Sequence, residues 1–381
     1  WMDEARVEAE AARSRRGVLA GVPIAVKDIF DTAGIPTECG TALMAGRVPE
    51  RSATVVSILE EAGAVVFGKT VTAELAYAHP GPTRNPWDLQ RTPGGSSMGS
   101  AAAVAAGVVP GAIGTQTNGS IIRPAAFTGV VGFKPSAGRI PREGVLSFSP
   151  TLDQVGVLAA DVGGAALLAG LLMGESMEPA RLVAPRLLVV RTSDWRLAEP
   201  AQQDRFDADL ALLARSGAVI EERELPLQVE EGPALHRTIM AREASAELAG
   251  LVEGREDQIS DVLKALLADG KAVSAPEYEA ALVSRLLGIA RWGQWLEGWD
   301  AVLTPPALGE APGADTTGDP RFCTRWSLLG APAISIPTGY GPRGLPLGIQ
   351  VVGRPGDDGH ILSIAAWIEA QLMFRHRPLP F

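Results

Sequence analysis

Residues 93–124 read "PGGSSMGSAAAVAAGVVPGAIGTQTNGSIIRP", the densest run of small and hydroxyl side chains in the chain. Its alanine-rich half predicts a helix, its apolar centre from Val108 to Ile113 predicts a strand, and "TQTNG" predicts a turn into a short helix opening at "SIIRPAAF". The alternation continues outward on both sides. From Val22 to about Phe133, short apolar runs ("VPIAV", "AVVFG", "GVVGF") exchange with helical stretches such as "SATVVSILEEAGA", which is α/β grammar. Residues 160–299 carry two strand-like runs, "RLLVVR" and "AVIEERE", within long amphipathic helix ending in "APEYEAALVSRLLGIARWGQWLEGW". Strands return at "AVLTPP", "APAISIPTG" and "LGIQVVG", before a helix from about Ile361 to Met373. The expectation is an α/β protein with a mixed, twisted central β-sheet covered on both sides by α-helices.

Bulk composition narrows the function. The chain has 381 residues, 46% hydrophobic and 20% charged, enough apolar material for a large core. A formal net charge of -10 opposes the phosphate attraction on which nucleic-acid binders depend, so no nucleic-acid partner is expected. Cys39 and Cys323 are far apart, and with His79, His236, His360 and His376 they form no local ligand spacing, so no metal is expected. The opening "WMDEARVEAEAARSRR" reads as a polar helix and not as a secretory signal. The near-apolar "VGVLAADVGGAALLAGLLMG", residues 155–174, contains Asp161 and several glycines and fits a buried strand and helix better than a membrane span. A cytoplasmic protein without a membrane partner is the expectation. Trp292, Trp295 and Trp299 fall on one helical face, read first as core packing and second as a pocket wall.

"GAVVFGKT", residues 63–70, matches the spacing of a phosphate-binding loop. Its context contradicts that use. The loop requires strand, flexible turn, then helix, whereas "SATVVSILEEA" before Gly63 is helical and Ala64, Val65, Val66 and Phe67 are strand formers.

Three polar residues remain to be explained. Ser96 follows two glycines at the opening of the alanine-rich helix, where its hydroxyl can sit at a helix N-terminus. Ser120 lies at the strand-to-helix turn, whose successive N–H groups can converge on one point as in an oxyanion hole. Lys27 ends the apolar strand "VPIAV", where desolvation would favour a neutral amine able to act as a base. Each also has a bland reading: Lys27 as a surface partner of Asp28, Ser96 as a helix cap, Ser120 as a small turn residue.

Taken together, "GVPIAVKDIFDTAG" (21–34), "AGAVVFGKT" (62–70), "TPGGSSMGSAAAVAAG" (92–107), "GTQTNGSIIRPAAFTGVVGFKPSAGRIPREG" (114–144) and "SPTLDQVGVLA" (149–159) resemble the amidase signature hydrolases. The resemblance returns more weakly at residues 318–339 and 344–353. It implies the amidase signature fold in a single large domain over 1–381, with a signature core at 17–159, a variable, mostly helical, substrate-shaping region at 160–299, and the rest of the core at 300–381. It further implies a Ser, cis-Ser, Lys triad in which Ser120 matches the nucleophile, Ser96 the proton relay and Lys27 the base. Thr117, Asn118, Gly119 and Ser120 match the oxyanion hole, and Ser97 supports the network. No cofactor is implied. The expected partner is a small-molecule amide, with a homodimer left open.

The chain departs from the family pattern at several places. Asn118 stands where the first of two glycines is usual; Asn tolerates positive φ, yet its side chain can narrow the pocket. Gln116 replaces a frequent acid. Few residues precede Lys27, so a helical layer common in the family is expected to be trimmed. Arg123, three residues after Ser120, matches an arginine that in some relatives binds a substrate carboxylate; a structural ion pair is the competing reading. Two other functions compete with an amidase. Gly95-Ser96-Ser97-Met98-Gly99 fits GxSxG of an α/β-hydrolase esterase with Ser97 as nucleophile and His236 or His360 as base, although "NPWDLQRTP" is a poor preceding strand. The other is the A chain of a multi-chain amidotransferase, or a scaffold for assembly, against which the intact triad argues.

Overall fold

The computed structural model describes residues 8, 16–182 and 184–374. The expected N-terminal polar helix, the question of a trimmed layer before it, and His376 lie outside these residues apart from Glu8 and Arg16. Ten strands form one mixed sheet: β1 (Pro23–Lys27), β2 (Val65–Thr70), β3 (Gly111–Gln116), β4 (Val131–Lys134), β5 (Gln154–Ala159), β6 (Arg186–Val189), β7 (Val219–Glu222), β8 (Ala301–Thr304), β9 (Ala333–Tyr340) and β10 (Pro346–Val352). Their spatial order is β2-β1-β3-β5-β4-β9-β10-β8-β6-β7. The β2-β1-β3 and β8-β6-β7 ends pair in parallel, while the middle of the sheet is antiparallel. Because segments from 23 to 352 enter one hydrogen-bonded sheet, the chain is a single domain.

The helices are α1 (Thr54–Glu61), α2 (Met98–Ala105), α3 (Ile122–Thr128), α4 (Val162–Met173), α5 (Pro200–Arg215), α6 (Gly232–Glu247), α7 (Asp261–Ala272), α8 (Ala275–Trp295), α9 (Arg321–Leu328) and α10 (Asp358–Leu372), with shorter helical turns between them. Against one face of the sheet lie α2 and α3; α4, α5 and α10 lie against the other, with α1 beside α4. All eight residues of α2 are buried, which explains its composition. Only small side chains let a helix come this close to a sheet: a Cβ added at Gly99 would stand 2.5 Å from the backbone nitrogen of Val71.

Local signals set several boundaries. Asp161 ends the apolar stretch after β5 and caps α4 through Gly164 N–H, so residues 155–174 become a buried strand and helix as expected. Among the described residues no helix is long and apolar enough to cross a membrane. The 160–299 region supplies the edge strand β7 with its neighbour β6 and the helices α6, α7 and α8, the last opened by a capping box between Ser274 and Glu277. The order α1, turn, β2 across residues 54–70 is the reverse of a phosphate-binding loop. Lys69 donates to Phe30 O at 2.8 Å and Thr37 Oγ1 at 2.6 Å and pairs with Asp28 at 3.0 Å, so its role is structural. Trp292 and Trp299 are buried in a cluster with Trp326, the Trp292 and Trp326 rings 5.2 Å apart, which is the core-packing role; α8 ends at Trp295, so Trp299 lies beyond the helix.

Candidate active site

Lys27 closes β1 between its parallel neighbours β2 and β3 and is fully buried. Its Nζ donates to Ser96 Oγ at 2.7 Å and to Thr115 Oγ1 at 2.8 Å. Burial lowers its pKa from the usual lysine range to about 7, with Asp153 acting the other way. A neutral amine at this distance from a hydroxyl can take its proton. Asp28 pairs with Lys69, so the reading of Lys27 as a surface partner of Asp28 does not hold.

The Gly95–Ser96 peptide is cis. The alanine-rich helix begins only at Met98, so Ser96 is not the helix cap expected from the sequence; its hydroxyl is turned to Lys27 instead. Ser97 is fully buried, donating its hydroxyl to Thr115 O at 3.1 Å and accepting from Thr115 N at 3.3 Å. This contact requires the glycine next to Thr115: a Cβ at Gly114 would stand 2.7 Å from Ser97 Oγ. A serine spent in this way cannot be the exposed nucleophile of a GxSxG elbow, and no strand precedes Gly95 across residues 85–94. Through its backbone N–H, Ser97 also bonds Ser120 O at 3.3 Å and so ties the two serine segments together.

Ser120 stands at the turn between β3 and α3, as expected. Gln116 closes that turn, its Oε1 accepting from Ile121 N at 2.8 Å and Ile122 N at 3.0 Å. Among the described residues, the N–H groups of Asn118, Gly119 and Ser120 just before them have no acceptor. The other end of Gln116 explains why an amide serves here. Nε2 donates to Ser327 Oγ at 3.0 Å, and Ser327 gives its own single proton to Asn118 O, so it needs a donor at position 116. Asn118 does not have positive φ, so the backbone makes no demand for glycine there. Gly119 is the tight position, since an added Cβ would meet Pro320 Cβ at 3.1 Å and Cys323 Sγ at 3.3 Å. The Asn118 side chain is held by Thr324 Oγ1 at 2.7 Å and lies at the edge of the site.

A cavity of about 340 Å³ opens beside the turn, lined by Ser120, Thr117, Asn118, Arg123, His236 and Thr324 among others. Arg123 is buried there; its Nη2 donates to Gly95 O at 2.7 Å, while Nε and Nη1 have no partner among the described residues. Burial lowers its pKa to about 10, which leaves a cation at neutral pH. Among the described residues Arg123 has no ion pair, whereas Arg237 and Arg321 on the same wall are paired with Asp269 and Asp319. The structural ion-pair reading of Arg123 therefore fails, and its competing roles are a ligand contact and support of Gly95.

Three neighbours of the site were missed in the sequence. Thr115 was invisible because only the β1-β3 pairing brings it to Lys27. His236 entered the sequence reading only as an esterase base; in the structure its Nε2 bonds Thr117 O at 3.0 Å. A carbonyl only accepts, so Nε2 carries the hydrogen, and burial lowers the imidazole pKa to about 4, leaving it neutral. Asp153 accepts from Thr117 Oγ1 at 2.5 Å. The only hint for it was the motif "SPTLDQVG" itself. His360 is remote from these groups and bonds Asp300. Among the described residues no cluster of three or more His, Cys, Asp or Glu is arranged to hold a metal.

The sequence profile of the Amidase family matches residues 1–362. The A chain of the glutamyl-tRNA(Gln) amidotransferase of Anaeromyxobacter dehalogenans (strain 2CP-C) is 36% identical over 440 aligned positions, covering 99% of this chain and 88% of that protein. Among solved structures, an amidase superposes with a TM-score of 0.89 at 33% identity, covering 98% of this chain and 91% of the other. The peptide amidase of Stenotrophomonas maltophilia gives a TM-score of 0.84 at 27% identity, covering all of this chain (100%) and 90% of the other.

Proposed function

The chain belongs to the amidase family, and from that membership we propose that it hydrolyses the C–N bond of a small carboxamide through an acyl-enzyme on Ser120. The observation that carries this reading is the buried 2.7 Å contact of Lys27 Nζ with Ser96 Oγ, joined through Ser97 to the Ser120 turn. Neutral Lys27 accepts the Ser96 proton as Ser96 accepts that of Ser120, and Ser120 Oγ attacks the amide carbonyl carbon. Negative charge gathers on the carbonyl oxygen, facing the N–H groups of Thr117, Asn118, Gly119 and Ser120, where one donor is worth about 3 kcal/mol. Collapse breaks the C–N bond, and ammonia or an amine leaves with the proton returned through Ser96. Water then attacks the acyl carbon by the same proton route, releasing the acid and restoring Ser120.

Arg123 supports a substrate class. A buried guanidinium on the cavity wall with two unpartnered donors suits a carboxylate on the substrate, so the favoured substrates are linear amides with an anionic group; a urea-type amide is the alternative. The likeness to the A chains of amidotransferases favours a second reading, in which this protein works only within an assembly. Mapping a fluorophosphonate adduct by mass spectrometry tests the triad without a known substrate. Adduct on Ser120 is expected, and its absence there, or adduct on Ser97, would overturn the mechanism. Ammonia release from amides by the purified chain alone would then speak against the assembly reading.

A further inference from the structure

Behind the site lies a second cavity of about 150 Å³, lined by Thr115, Thr117, Asp153, Gln154, Arg142 and Phe148 among others. It shares Ala76, Thr117 and Phe148 with the first cavity. Asp153 lines this space together with Thr115, whose hydroxyl accepts from Lys27. The antiparallel β3-β5 register ends with Gln116 opposite Gln154, so the next step brings Thr117 opposite Asp153. Each carboxylate oxygen is occupied: Oδ1 accepts from Thr117 Oγ1 at 2.5 Å, and Oδ2 accepts from Phe148 N at 2.8 Å and Ser149 N at 2.9 Å. Its side chain is 10% exposed. Three donors hold the nearly buried carboxyl in a fixed orientation and favour its charged form, against burial, which raises its pKa above the usual carboxylate range.

We propose that Asp153 is a positioning residue of the hydrolytic site, holding the first residue of the Ser120 turn through the Thr117 hydroxyl, and that its charged form favours the protonated amine of Lys27. The inference rests on the reading of Lys27 as the base.

Thr117 is pinned from two sides, by Asp153 at its hydroxyl and by His236 at its carbonyl, so the N–H groups that follow it start from a fixed point. The carboxylate is itself held from further out. Glu243 on α6 accepts from Ser149 Oγ, Thr151 N, Thr151 Oγ1 and Tyr278 OH, clamping the loop whose N–H groups bond Asp153. The helical region of 160–299 thereby braces the loop beneath the turn.

The charges around Lys27 leave Asp153 as the main counterweight to burial. Asp28, next to Lys27 in sequence, is paired with Lys69 from β2. The Cys39 thiol is pushed up to about 12 by burial and stays neutral near pH 7. Arg142, 4.0 Å from Asp153, lies at the second cavity and partly offsets its charge. Of the charges that favour the protonated amine, Asp153 acts most strongly on Lys27.

The test is the rate of fluorophosphonate labelling of Ser120 as a function of pH in the full chain, Asp153→Asn and Thr117→Val. Thr117→Val removes the hydroxyl without altering charge, and labelling is expected to slow roughly tenfold or more at every pH, with the acid limb unmoved. Asp153→Asn is expected to slow labelling and also to move the acid limb to lower pH by about half a unit or more, because the lost anion lets Lys27 deprotonate sooner. An unmoved limb in Asp153→Asn, or labelling as fast as in the unsubstituted chain, overturns the inference. Should Asn at 153 cost the fold, native labelling in the isosteric Thr117→Val overturns it equally. If Ser120 of the unsubstituted chain takes no label, the triad reading falls and this inference with it; label with unchanged variants removes the inference alone.

Discussion

Lys27 Nζ donates to Ser96 Oγ across 2.7 Å at a point where both side chains are buried. A lysine in that position is stable only while it need not carry full charge, which makes the contact a proton-transfer pair rather than an ion pair. Lys27→Ala is therefore expected to lower amide hydrolysis by about 10²–10⁴, and Ser96→Ala by a comparable factor. Turnover of any accepted amide, or the labelling rate of Ser120, measures both. Retention of most of the rate in Lys27→Ala would assign the base elsewhere.

The same burial gives a signed pH dependence of stability. The folded pKa of Lys27, about 7, lies below the unfolded value of 10.5, so the unfolded chain binds more protons between those limits and stability rises with pH across them. Below about pH 7 the full penalty of the buried amine is present. Lys27→Met removes it, so the variant is expected to be more thermostable than the unsubstituted chain at pH 6, with the difference shrinking toward pH 10. Lys134, also lowered to about 7 by burial, is common to both chains and cancels in the comparison. Melting temperatures measured at several pH values decide the matter.

Gln116→Glu inserts the acid frequent in the family into a network arranged for an amide. Ser327 donates to Asn118 O and needs a proton from residue 116, which a carboxylate cannot give. Ser327 must then abandon Asn118 O or face an acceptor, a cost of about 1–3 kcal/mol. Lower thermal stability together with slower labelling of Ser120 is expected, and Ser327→Ala in the Gln116→Glu background should recover part of the stability.

Arg123 has two tasks that kinetics can separate. Its Nη2 holds Gly95 O, while Nε and Nη1 are unspent beside the cavity. If those two donors receive a substrate carboxylate, Arg123→Ala raises KM for an anionic amide by about 10-fold or more and changes KM for a neutral amide little. An equal loss of kcat for both would assign Arg123 to the support of Gly95 alone.

Gly119→Ala tests the close approach of the turn to α9. The new Cβ would be 3.1 Å from Pro320 Cβ and 3.3 Å from Cys323 Sγ, and relieving that contact moves the N–H groups near Ser120. Destabilisation of about 1–3 kcal/mol and a labelling rate at least roughly tenfold lower are expected. Cys323→Ala in the same chain should restore part of both.

Much of this protein was legible in the order of its residues. The small side chains of 93–124 permit a helix and a strand to approach to backbone contact, and few other arrangements use such a run. The position of Lys27 at the end of an apolar strand foretold its burial, and helix before strand at 54–70 ruled out a phosphate loop. Sequence alone could not say where hydroxyls would point. Ser96 looked like a helix cap because local rules favour one there, yet its partner lies 69 residues away.

What tertiary structure decided is therefore the set of contacts made across strands. Thr115 reaches Lys27 only because β3 pairs with β1, and Asp153 reaches Thr117 only because β5 pairs with β3 in one register. His236 arrives on a helix from a region without recognisable motif. Local chemistry determines which segments become strand, helix and turn, because propensity and periodicity act over a few residues. The partners of a side chain are set by register and by the packing of helices on the sheet, which depend on the whole core at once.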